Sequence, residues 1–245
     1  MNVLEVSDLS CGYGATEVVS GVSFSVGAGE CLGVIGPNGH GKTTILRAIS
    51  GLVPPWGGSI RLQGRELRKC SPHSIARFGL AHVPQGDMIF PDLSVEDNLN
   101  AALYGAGKWR DRRRVIDEVC GVFPRLKERR GQLSMTLSGG EKRMLALGRG
   151  LVLDAQLLMI DEPSLGLAPR VIAEVYERIC HMRERGLSMI IVDESPARLE
   201  GVADRLCLID AGRVIEVGPT ADMLEHEKVL ETYLGFSVDE EGTSP

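Results

Sequence analysis

A chain of 245 residues with a hydrophobic fraction of 43% can bury one large core, and two independent domains are not expected from it. Its 27 Lys and Arg against 33 Asp and Glu leave a formal charge of -6, which argues against a nucleic-acid partner held by global attraction. The six cysteines form no CxxC pair, so reduced thiols are expected rather than a zinc site or disulfide framework.

Residues 1–8 read as a short acidic strand, without the basic-then-apolar pattern of a secretory leader. Strand-like runs follow at 18–19, 22–26 and 31–35. The next segment satisfies G-x-x-x-x-G-K-[ST], running Gly36, Pro37, Asn38, Gly39, His40, Gly41, Lys42 and Thr43, with Thr44 behind it. Glycines there let backbone N–H groups curl around phosphate oxygens, and the start of a helix adds partial positive charge. Lys42 is expected on the outer phosphates and the Thr43 hydroxyl on magnesium; His40 is read as a side chain outside the cradle. The helix carries Ile45, Leu46 and Ile49 on one face and ends at Gly51, before Pro54 and Pro55.

From 94 to 130 the pattern turns helical and charged, which predicts an inserted helical subdomain over about 86–136. Strand and helix alternation returns with a helix over 139–151, a strand over 157–161, a helix over 169–185 and a strand over 187–193. This predicts a mostly parallel sheet covered by helices, a single α/β domain over 1–235. Residues 206–217 read as a hairpin turning at Asp210, Ala211 and Gly212, with a short helix after it; the tail 236–245 is expected to be disordered. No apolar run approaches the ~18 residues that span a bilayer.

The strand over 157–161 ends in Asp161 and then Glu162, and two acids there are unfavourable unless a cation or a water needs them. Asp161 is assigned to magnesium, and Glu162 to deprotonating the attacking water. Further upstream, Ser138 and Glu141 form a capping box that opens the helix after Leu137. Its glycines, Gly139 and Gly140, leave N–H groups that a phosphate can take.

Leu137, Ser138, Gly139, Gly140 and Glu141 resemble the LSGGQ signature of ABC ATPases, with Glu in the last place. That resemblance covers about 3–234 and implies a P-loop ABC cassette: a mostly parallel core, an antiparallel β subdomain and the helical insert. It implies ATP and Mg²⁺ as cofactors, ATP hydrolysis in a cassette dimer, and Ser138, Gly139 and Gly140 placed on the partner's nucleotide. Gln85 matches the glutamine that senses magnesium and the attacking water, and Tyr13 resembles the aromatic that stacks on adenine. Within the family, residues 83–99 (VPQGDMIFPDLSVEDNL), 123–130 (FPRLKERR), 162–169 (EPSLGLAP) and Tyr233, Leu234 and Gly235 are similar to the LivF type of branched-chain amino acid importer. Urea importer ATPases share much of this wording.

The LivF likeness implies a separate permease, a second cassette (itself or a LivG-type partner) and, indirectly, a solute-binding protein, with this subunit on the cytoplasmic face of the membrane. Two positions depart from the general pattern: Ala168 stands where an aspartate is common, and Glu194 where the switch residue is usually histidine or glutamine. An acid beside a terminal phosphate is expected to be protonated or turned away. Two other classes remain open. One is a non-transport ABC protein acting on nucleic acid or ribosomes through the basic run 108–114, which Asp111 breaks and Asp117 and Glu118 follow. The other is a module that closes on ATP with little turnover.

Overall fold

The computed structural model describes residues 1–86, 88–105 and 109–225. The tail 236–245, and Tyr233, Leu234 and Gly235, lie outside the described residues. The chain begins with two long antiparallel strands, β1 (Asn2–Tyr13) and β2 (Thr16–Gly27), where the sequence suggested three short runs. Register shifts along the pair, with Asp8 and Gly21 in the left-handed region, keep one ladder going through residues that break strict alternation. Then come β3 (Cys31–Ile35), α1 (Lys42–Ile49), β4 (Gly57–Leu62), β5 (Arg65–Glu66), α2 (Pro72–Arg77) and β6 (Leu80–Val83).

The helical stretch holds α3 (Val95–Gly105), α4 (Arg112–Val122) and α5 (Pro124–Glu128). It is followed by α6 (Gly139–Leu151), β7 (Leu157–Asp161), α7 (Pro169–Glu184), β8 (Ser188–Val192), β9 (Arg205–Asp210), β10 (Arg213–Pro219) and α8 (Thr220–Glu225). Pro219 closes β10, and the short helix expected after the hairpin starts at Thr220.

Two sheets result. One is antiparallel with order β2-β1-β4-β5; the other has order β10-β9-β3-β8-β7-β6, parallel from β9 to β6 with β10 antiparallel at the edge. The central strands β3, β7 and β8 are buried along their whole length, as a parallel sheet covered on both faces requires. Their side chains alternate between two cores. Leu158, Ile160, Met189 and Ile191 pack with α3 to α7, while Leu157, Met159, Ile190 and Val192 pack with α1 and the antiparallel sheet. The sheet is therefore fixed from both sides, and the loops leaving its C-terminal edge are held on a rigid floor.

Candidate nucleotide site

The loop between β3 and α1 curls because its glycines adopt backbone angles that other residues resist. Gly36, Gly39 and Gly41 have φ of 148, 84 and 98°, and a Cβ on Gly36 would lie 2.0 Å from the Ile209 carbonyl oxygen. The first helical bond runs from Ile45 N–H to Gly41 O at 2.9 Å, so the amides of the first turn point at the loop's mouth. Lys42 is 4% exposed, and its ammonium donates to Gly36 O at 2.6 Å and Pro37 O at 3.0 Å. Burial pushes this lysine below its ordinary range, opposed by the carboxylates of Glu162, Asp161, Glu194 and Asp193.

Asp161 ends β7 fully buried. Its Oδ1 accepts from the Thr43 hydroxyl at 3.1 Å, while Oδ2 is buried with no hydrogen-bond partner. Desolvation pushes the carboxyl up to about 6; the Thr43 bond opposes the shift and the Glu162 charge adds to it. An orphaned buried carboxylate oxygen beside a hydroxyl is a hard-oxygen donor set that suits a magnesium ion.

Glu162 takes φ of 48°, unusual for a residue with a Cβ, and its N–H donates to Val192 O at 2.9 Å. That turn lifts its side chain off the strand, where Oε2 accepts from Gln85 Nε2 at 3.0 Å. Glu194 is not turned away from the loop: its Oε2 accepts from Asn38 Nδ2 at 3.3 Å. The structure thus gathers Gly36, Pro37, Asn38, Lys42, Thr43, Gln85, Asp161, Glu162 and Glu194 into one linked set.

The remaining expected residues sit apart from those bonds. His40 Nδ1 lies 2.7 Å from Asp210 Oδ1 and 3.1 Å from Ala211 N, so the ring faces the β9–β10 turn. Tyr13 is 46% exposed at the end of β1, its hydroxyl accepting from Arg47 of α1 at 3.2 Å. Ser138 caps α6: its Oγ accepts from Glu141 N–H at 3.3 Å, and Glu141 Oε2 accepts from Ser138 N–H at 2.9 Å. Gly140 faces α7, where a Cβ would lie 2.4 Å from Val171 Cγ1, and no hydrogen bond joins Ser138 to the phosphate loop among the described residues. A cavity of about 440 Å³ near Asp154 and Arg185 shares none of these residues.

Several polar residues of the site were not singled out from the sequence. Asp193 is completely buried and accepts from Ser164 Oγ at 2.8 Å, from Ser195 N–H at 2.8 Å and from the Tyr176 hydroxyl. Arg198 donates to Ser164 Oγ at 2.9 Å and to Asp193 Oδ1 at 3.0 Å. Arg143 and Arg149 of α6 donate to the carbonyls of Gly86 and Met88, just past Gln85. An acid followed by an arginine five residues on was the only sequence signal for this set.

A family model described as "ABC transporter" matches residues 19–165. The chain is 39% identical to the high-affinity branched-chain amino acid transport ATP-binding protein BraG of Pseudomonas aeruginosa, over 95% of this chain and 100% of that one. It is 34% identical to a probable branched-chain amino acid transport ATP-binding protein LivF of Archaeoglobus fulgidus, over 96% and 99%. A Nod factor export ATP-binding protein of Rhizobium etli is 36% identical over 96% of this chain and 75% of its own. A nucleotide-free ATP-binding cassette from an ABC transporter superposes with TM-score 0.84 at 22% identity, over 96% of this chain and 100% of that one.

Proposed function

The chain belongs to the ABC transporter family, whose ATPase domains hydrolyse ATP to drive transport, and on that premise we propose that it powers an importer of branched-chain amino acids. The observation that carries the solute is the full-length similarity to BraG and LivF. ABC ATP-binding subunits dimerise and work with membrane permeases. Here we take the partner cassette to be a LivG-type subunit or a second copy, with a solute-binding protein upstream.

Catalysis follows from the linked set. Loop amides and Lys42 hold the phosphates, and the Tyr13 ring is exposed for the adenine. Thr43, Asp161 and Gln85 would hold magnesium, which would supply positive charge against the phosphates. Gln85 occupies Oε2 of Glu162, leaving Oε1 to accept the proton of the attacking water. Ser138, Gly139 and Gly140 stand at a capped helix start whose N–H groups serve the partner's nucleotide.

Membrane attachment is proposed to be peripheral, on the cytoplasmic face, through the permease. Among the described residues no helix is long and apolar enough to cross a membrane. Met88, Phe90, Leu93, Leu133 and Met135 form an exposed apolar patch beside Gln85. The test is transport: the chain, purified from membranes with the subunits that co-purify, is placed in vesicles charged with ATP. Uptake of labelled leucine, isoleucine or valine that Lys42→Ala abolishes supports the reading. Uptake of urea, or solute efflux as for the Nod factor relative, replaces the solute and leaves the ATPase assignment standing.

A further inference from the structure

Glu194 brings a negative side chain to the mouth of a loop built for phosphates, yet it faces the loop. Its Oε2 is bonded to Asn38 at 3.3 Å, and its Oε1 lies 3.8 Å from Arg198 Nη1. The same Nη1 is within hydrogen-bond distance of Asp193 Oδ1 and Ser164 Oγ. Ser164 belongs to the turn that follows Glu162, and Leu165 N–H donates to Glu162 O at 3.3 Å. Asp193, locked under this cluster by Ser164, Ser195 and Tyr176, gives the guanidinium a fixed seat. One cation thus ties together the switch acid, the phosphate loop behind it and the turn that carries Glu162.

We propose that Arg198 is a positioning residue for ATP hydrolysis, sharing its charge between Asp193 and Glu194 so that the Glu194 carboxylate braces the phosphate loop through Asn38 while Ser164 keeps the Glu162 turn in register. The proposal rests on the ATPase reading above. A guanidinium suits the task because it stays charged at any working pH and its fork reaches several acceptors at once. Without that charge, Glu194 would be left with Lys42 alone to offset its carboxylate, in competition with the terminal phosphate. Glu194 therefore works through Asn38 and Arg198, and the donor role that a histidine would fill at this position is not asked of it.

Arg198→Gln separates the charge from the hydrogen bonds, since the amide can still donate to Asp193 or Ser164 and has nothing to offer Glu194 as a counter-ion. In the complex purified from membranes, this variant is expected to weaken magnesium-ATP affinity and to lower kcat, each about tenfold, as coupled charges in contact do. Adding Glu194→Gln should restore both without recovering the Tm that Arg198→Gln lowers, because the buried Asp193 has lost the same counter-ion either way. A merely structural arginine would give no such rescue. Arg198→Lys keeps the charge and is expected to hold both quantities within about threefold of the parent. If the paired substitutions only multiply the single losses, if Arg198→Gln behaves as the parent, or if Arg198→Lys falls as far as Arg198→Gln, the proposal is overturned. Affinity is read with a fluorescent ATP analogue, so a parent that bound ATP without turnover would defeat the ATPase reading and still decide this one.

Discussion

Asp161 is held where burial makes its charge unfavourable. Its carboxyl is raised from an ordinary 3.8 to about 6 by burial, so the folded chain keeps a proton that the unfolded chain gives up between those values. The penalty is thus fully present above pH 6, shrinks as pH falls, and is gone below about pH 4. Asp161→Asn keeps an oxygen for the Thr43 hydroxyl and removes the charge. At pH 7 in the absence of magnesium it should stabilise the chain by up to about 2–3 kcal/mol, a rise of several degrees in Tm that fades toward pH 4. Adding Mg²⁺ with ATP should raise the Tm of the parent far more than that of the variant; an equal rise would remove Asp161 from the metal site. For Glu162, the neutral isostere Glu162→Gln should keep ATP bound and slow hydrolysis by about 10²–10⁴-fold, read in the native complex. At this scale much was legible, because the glycine spacing and the paired acids carry their own chemistry. The bond from Gln85 to Glu162 was not, since nothing in a sequence joins residues 77 apart. Nor was the posture of Glu194, expected to be protonated or turned outward. Arg198 supplies a third solution that depends on where Asp193 and Ser164 seat it.

Elements were legible where one residue pattern does one job. The apolar run of β3, the glycines after it and the amphipathic α1 came out as read, as did α6, β7, α7 and β8. Strands β4, β5 and β6 and helix α2 were not foreseen: they are short, and their apolar residues face partners distant in sequence, as Leu62 of β4 opposes Leu4 of β1. Helix α6 shows how one element serves two ends. Its start is a capping box, and further along Arg143 and Arg149 reach the segment after Gln85. The cap and the proposed role on a partner's nucleotide can be pulled apart at Ser138. The Ser138 hydroxyl also donates to Glu141 Oε2 at 3.0 Å, so Ser138→Asp keeps a cap oxygen but sets two carboxylates together, and both it and Ser138→Ala should lose about 1 kcal/mol of stability. Hydrolysis should separate them, falling further in Ser138→Asp, because an aspartate sets a negative charge where the partner's phosphate would come. Equal ATPase rates in the two variants would leave Ser138 a cap and nothing more.

On the scale of the whole molecule, two distant stretches are drawn together in the segment that follows Gln85. Ser94 bridges to Leu133, Ser134 N–H donates to Leu93 O at 3.0 Å, and Met135 N–H donates to Pro91 O at 3.0 Å. The buried Asn98 staples the arrangement from beneath, bonding Phe90 N–H and O and the Ser134 hydroxyl. What this scaffold presents is apolar: Met88 is 69% exposed, Met135 54% and Leu133 47%. The sequence announced a helical insert but gave no sign of this patch, because its members come from turns before and after the insert's helices and share no periodicity. Arg149 links it to the chemistry, reaching Met88 O and lying 4.6 Å over the Phe90 ring, while Gln85 begins the same segment and ends on Glu162. A partner pressed against the patch therefore has a short mechanical route to the proposed general base. Leu133→Glu with Met135→Glu should leave ATP affinity unchanged and Tm nearly so, since exposed substitutions shift stability by about 0.5 kcal/mol or less. The doubly substituted chain should no longer sediment with membranes that hold the permease, and solute uptake should stop with it. Sedimentation equal to the parent's would move the docking surface to another face of the molecule and sever the proposed route to Glu162.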